Sequence, residues 1–181
     1  TTMGAYHFEQ SNIDAAITSI VAPTNSIVIN NTPTDVKIRL YNAGTTTLTE
    51  VTINWMINGV LQSPYTWAGN LNSKVSGDIT IGNFIPTKGN IEIVAFVTNV
   101  NNATDQVSSN DTAYTTIYGC VASSTYTIGQ SSNADFSTID EALTALQNCG
   151  INSAVRLEIE SGSHFKDVVF SQSIPGASTT N

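Results

Sequence analysis

Charge is scarce in this chain. Of its 181 residues only 11% are charged, with 6 Lys+Arg against 14 Asp+Glu and a net charge of −8. Nucleic-acid affinity needs a basic patch to release counterions, and six scattered basic residues do not make one. Long apolar runs are also missing. None approaches the roughly 18 residues of a membrane-spanning helix, so membrane insertion is not expected. Histidine occurs twice, as His7 and His164, and neither has a Ser or Cys partner at a spacing that would argue for a catalytic triad. There are two cysteines, too few to identify a redox compartment. The amino terminus, Thr1-Thr2-Met3-Gly4, lacks the basic-then-apolar pattern of a signal peptide. Either a signal has been removed or the chain is a piece of a longer one.

What is present in quantity is uncharged polarity. The chain has 25 Thr, 19 Ser and 19 Asn. Its solubility therefore rests on hydroxyls and amides. The hydrophobic content of 40% is enough for a core, which excludes global disorder. Many Thr, Ser and Asn with few charges fit an extracellular β protein.

Along the chain, period-2 alternation dominates from about residue 13 to 118. Val36, Ile38 and Leu40 alternate with Lys37, Arg39 and Tyr41. Val51, Ile53, Trp55 and Ile57 alternate with Thr52, Asn54, Met56 and Asn58, and Asn58-Gly59 is a strong hairpin signal. Residues 60–67 contain Pro64, which suits an edge strand or bulge. Ile91, Ile93, Ala95 and Val97 alternate again. Counting residues 13–21, 26–29, 75–81 and 113–118, seven or eight strands occupy about 105 residues, the spacing of a β-sandwich. The expected fold class is all-β.

After Tyr118 the pattern changes. Residues 119–124 look like a linker, and 126–129 like a strand. A helix is expected over 138–148, with Ser137 as N-cap, Asp140 as a weak capping-box partner and Gly150 as terminator. Ile139, Ala142, Leu143 and Leu146 form its apolar stripe. Strands follow at 154–160 and 165–170.

Two resemblances rest on these residues. Val36 to Gly44, Val51 to Gly59, and Asp105-Gln106-Val107-Ser108-Ser109-Asn110-Asp111-Thr112 resemble the immunoglobulin-like adhesion modules of CARDB type found in secreted bacterial proteins. Tyr126 to Gly129, Ala134 to Leu143 and Gly162 to Phe170 resemble the opening of a right-handed parallel β-helix of the pectate-lyase type, with Phe165 and Asp167 where that pattern has Tyr and Glu. The pairing resembles long secreted surface proteins of Bacteroidetes. It implies an N-terminal extension over 1–12, a sandwich over 13–118, a linker over 119–124, and a β-helix cap with a truncated first coil over 125–181. The active residues of β-helix enzymes lie several coils further on, so no catalytic residue is carried over and no enzyme activity is expected.

Candidate sites are few. Tyr65 and Trp67, beside Pro64, are candidates for ligand binding on an edge or loop, whereas Trp55 alternates with the core face. Asp105, Asn110 and Asp111 make an oxygen-rich loop that could hold calcium, the one cofactor considered, although Asx-rich turns form for local reasons as well. Glu158 and Glu160 share a strand face, and a solvated outer face with Arg156 explains them better than acid–base work. Cys120 and Cys149 form either a bridge or two thiols. Asn30, Asn102 and Asn110 begin N-x-[ST] sequons. The expected role is a non-catalytic structural or adhesion module, secreted or at the cell surface, with a protein or glycan partner or its own copies. The alternatives are the front end of a polysaccharide-degrading β-helix enzyme and a self-assembling fibre subunit.

Overall fold

A computed structural model describes residues 11–24, 27–28, 33–121, 123–151, 153–162 and 173–178. The chain splits into two compact units. The first holds residues 1–24, 33–85 and 91–117, and the second 25–32, 86–90 and 118–181. The expected strand over 165–170, His7, His164 and Asn30 fall outside the described residues.

The first unit is all-β. β1 (Ala15–Ala22), β3 (Thr34–Asn42) and β7 (Ser76–Phe84) form a three-stranded antiparallel sheet in the order β1-β3-β7. The larger sheet runs β2-β9-β8-β4-β5, built from β9 (Thr112–Cys120), β8 (Gly89–Val100), β4 (Leu48–Ile57) and β5 (Val60–Leu61), with β2 (Ile27–Val28), a strand of the second unit, on the end of β9. β6 (Tyr65–Leu71) also pairs with β4. Alternation explains the layers. Val36, Ile38 and Leu40 of β3 are fully buried, as are Val51 and Ile53 of β4 and Ile91, Ile93 and Ala95 of β8. Every second residue of each strand points inward, so two such faces close one core. The hairpin at Asn58-Gly59 has both residues at positive φ, 48° and 76°, as a type I′ turn requires.

Pro64 divides what the sequence presents as one run. Residues 60–61 pair with Met56 and Ile57, while residues 65–71 pair with the other end of β4. Proline cannot donate to a ladder, so the strand breaks there.

In the second unit, β10 (Thr125–Ile128) and β11 (Arg156–Ile159) pair in parallel, Tyr126 opposite Leu157 and Ile128 opposite Ile159. α1 (Ile139–Cys149) connects them. Parallel neighbours need such a crossover because the chain must return to the starting end. Ala142, Ala145 and Leu146 of α1 pack with Tyr126, Ile128 and Phe136 in one cluster. The Tyr126 and Phe136 rings stand 5.5 Å apart, tilted by 58°. Lys88 Nζ lies 4.4 Å from the Phe136 ring centroid.

The helix start lies one residue later than the sequence implies. Thr138, not Ser137, is the N-cap, and its hydroxyl accepts from the Glu141 N–H at 3.1 Å. Glu141 reaches back to the Ser137 N–H at 3.0 Å. Thr138 and Glu141 thus each satisfy an N–H at the helix start, a variant of the capping box in which the glutamate bonds the residue before the cap. Gly150, at φ 68°, ends the helix, its N–H bonded to the Leu146 carbonyl.

The expected linker over 119–124 is also different. Gly119 and Cys120 belong to β9, where they pair in parallel with Ile27 and Val28. Backbone pairing, invisible in the sequence, holds those two residues in a sheet.

Candidate functional site

The most connected polar cluster of the first unit joins the start of β1 to the loop before β9. Asp105 Oδ2 accepts from the Ala15 N–H and Oδ1 from the Val107 N–H, both at 2.7 Å. Gln106 Oε1 accepts from the N–H groups of Asn12 at 2.7 Å and Ile13 at 3.0 Å. Asn110 Nδ2 donates to Asp14 Oδ1 at 2.9 Å, and the Ser11 hydroxyl donates to Asp14 Oδ2 at 2.7 Å. These side chains hold the entering segment where backbone ladders have not yet begun.

Three carboxylates meet in this cluster. Asp14 and Asp111 are buried, 5% and 8% exposed. Burial, aided by the charges of Asp105 and Asp14, pushes the Asp111 carboxyl up to about 6. Asp111 Oδ1 and Asn110 Oδ1 are buried with no hydrogen-bond partner. A buried acceptor left without a donor is costly. Among the described residues no three His, Cys, Asp or Glu side chains form a group that could hold a metal ion. Asp105 in particular is engaged by backbone N–H groups through both oxygens. The proposed calcium trio is thus altered: Asp105 serves as a backbone clasp, and Asn110 and Asp111 hold the open acceptors. Asp14 and Gln106 complete the cluster, and the sequence pattern did not mark them. Gln106 and Asn110 bond across more than 90 positions to Asn12 and Asp14, a pairing that no local signal could find. Asn110 also uses its amide nitrogen toward Asp14, which ties up the atom a sequon would glycosylate.

Tyr65 and Trp67 sit on β6, an edge strand paired with β4. Tyr65 is opposite Ile53 and Trp67 opposite Val51, both buried. Opposed residues point to the same face. The two rings therefore lean into the sandwich margin and are half-buried, rather than standing free on a loop. Trp55 is buried at 3% exposure, and its indole N–H donates to the Ser63 carbonyl at 2.9 Å.

In the second unit Cys120 and Cys149 are joined in a disulfide, Cα–Cα 5.7 Å. Glu158 pairs with Arg156 at 3.2 Å, whereas Glu160 accepts from the Ser131 N–H at 3.2 Å. Their separate partners account for both carboxylates. A cleft of about 580 Å³ opens beside the disulfide, lined by Tyr126, Val155 and Pro175 among others. Among the described residues no Asp, Glu, His, Lys or Arg lines it.

Neither a protein-family model nor a curated protein sequence matches the chain. Solved structures do. A crystal structure of a CARDB domain from Pyrococcus furiosus, described as in complex with di-metal ions, matches with a TM-score of 0.51 at 21% identity, covering 62% of this chain and 97% of that one. Over that stretch the chain shares the fold of the Pyrococcus domain, a β-sandwich. A solution NMR structure of the same Pyrococcus domain gives 0.48 at 20% identity over 60% of this chain and 96% of that one. At this identity the likeness is one of fold. Among the described residues no helix is long and apolar enough to cross a membrane.

Proposed function

We propose that this chain is a non-catalytic structural and adhesion module of a secreted or cell-surface bacterial protein, in which the sandwich precedes the helical cap and first coil of a β-helix. The observation that carries this is the CARDB-type sandwich followed in sequence by a parallel β10-α1-β11 crossover. A parallel strand pair closed by an amphipathic helix is what the capped end of a parallel solenoid requires, because the helix covers core that stacking would otherwise leave open. The Cys120–Cys149 bridge supports an oxidising, extracytoplasmic location.

The test is deletion of the coding region for residues 11–178 in the source bacterium. Attachment of cells to surfaces should fall, while secreted polysaccharide-degrading activity should stay constant. Loss of degrading activity with attachment intact would favour the front end of a β-helix enzyme. A self-assembling fibre subunit instead requires concentration-dependent oligomers in light scattering, and a strict monomer excludes it.

The orphaned oxygens of Asn110 and Asp111 favour a second role for the polar cluster, a cation site at those two side chains. Calcium is the fitting ion because all the donors are oxygens. Terbium luminescence sensitised by the chain and displaced by calcium should appear, and should be lost in Asp111→Asn. No luminescence at neutral pH ends this reading.

A further inference from the structure

The outer face of the larger sheet carries an apolar stripe, half-buried at its centre and exposed at both ends. Trp55 and Ala95 are paired and buried, so their neighbours Met56 and Val94, also paired, face outward. Leu61 of β5 lies opposite Met56 on the other side and is 59% exposed. Phe96, paired with Asn54, adds the next outward row. On β9, Ile117 is buried, so Tyr114, of opposite parity, faces out and is 77% exposed. The stripe thus crosses β5, β4, β8 and β9. Three interstrand spacings make it about 14 Å long.

Its surroundings are hydroxyls and amides. Asn54 and Thr116 share the outward face with the stripe, and among the described residues no Lys or Arg lies on it. Carboxylates stand only at the ends, Glu50 on β4 and Glu92 on β8. We infer that this outward face of the larger sheet, centred on Tyr114 and Phe96, is a binding platform for a neutral polysaccharide. Sugar rings present a flat C–H face that packs on aromatic rings and an edge of hydroxyls that needs hydrogen-bonding partners. The stripe offers the first and its flanks the second. An anionic polymer finds no cation here and meets Glu50, Glu92 and a net charge of −8. A second copy brings the same −8 and the same carboxylates to the contact. The stripe lies away from Tyr65 and Trp67, which face the opposite side of the sheet. It goes beyond the proposed adhesion role and does not depend on it.

The test is affinity electrophoresis of the whole chain through gels containing xyloglucan, mixed-linkage β-glucan or galactomannan, with polygalacturonate as the anionic comparison. Retardation is expected in at least one neutral gel and not in polygalacturonate. Tyr114→Ala should weaken it about tenfold, and Phe96→Ala should weaken it also, while Val75→Ala, at an exposed apolar residue outside the stripe, leaves it unchanged. Tyr114 is so exposed that its removal does not threaten folding. No retardation in any neutral gel overturns the inference, as does retardation that survives Tyr114→Ala. Light scattering is the second arm. A dimer abolished by Tyr114→Ala would assign the stripe to self-association and overturn the glycan platform.

Discussion

The side-chain amide of Asn110 donates to Asp14 Oδ1 at 2.9 Å across 96 positions of sequence. This contact ties the segment entering β1 to the loop entering β9. Asn110→Ala leaves a buried carboxylate oxygen without its donor. We expect a loss of about 1–3 kcal/mol in urea unfolding. A loss below a few tenths of a kcal/mol would mean that water serves Asp14 equally well.

Asp111 sets the expected pH dependence. Its ordinary value of 3.8 is raised to about 6 in the fold, first by burial and then by Asp105 and Asp14. The folded chain therefore holds this proton more tightly than the unfolded chain. Ionising Asp111 costs stability, beginning near the ordinary value and complete above about 6. Stability should rise as pH falls from 7 to 5, by about 1 kcal/mol. Asp78 is shifted the opposite way by Arg39, but that pair is on the surface and contributes little. Unfolding midpoints at the two pH values, in the wild type and in Asp111→Asn, measure the effect. The slope should flatten in the variant.

Gly82 lies under Trp55. A Cβ there would overlap the indole ring. Gly82→Ala must displace a buried ring that is also held by its bond to Ser63. We expect about 1–3 kcal/mol of destabilisation and a red-shifted tryptophan emission. An unchanged emission spectrum with unchanged stability would show that the ring moves freely.

The Cys120–Cys149 bridge closes a loop with a sequence separation of 29. Chain entropy alone assigns it about 3–4 kcal/mol. The double Cys→Ser variant should lose that much stability, read from the thermal loss of helical circular dichroism. Mass with and without reductant should differ by two hydrogens, and no difference would rule out the bridge.

Much of the fold was legible locally. Val36-Ile38-Leu40 and Ile91-Ile93-Ala95 give strands and their inward faces from alternation alone. Asn58-Gly59 gives its turn because few residues tolerate positive φ at both positions. Ile139, Ala142, Leu143 and Leu146 give the helix and its apolar stripe, yet not which of Ser137 and Thr138 caps it. Two adjacent hydroxyl residues offer the same chemistry, and the backbone geometry decides between them.

The site was less legible. Asp105, Asn110 and Asp111 were visible as an oxygen-rich stretch, but Asp14 and Gln106 joined them only through long-range hydrogen bonds. Trp67 and Tyr65 were visible as an edge feature, but their side of the sheet depends on the register against β4. A one-residue slip would reverse it.

Local pattern alone yields an all-β sandwich, the inward residue of each alternating strand, one amphipathic helix, and a chain rich in Thr, Ser and Asn. These follow from periods of 2 and 3.6 and from composition, which are properties of short stretches of chain. Only the tertiary structure decided the sheet order β2-β9-β8-β4-β5, the break at Pro64, the Cys120–Cys149 bridge and the burial of Asp111 beside two other carboxylates. Each of those joins residues distant in sequence, and their energies depend on which partner arrives.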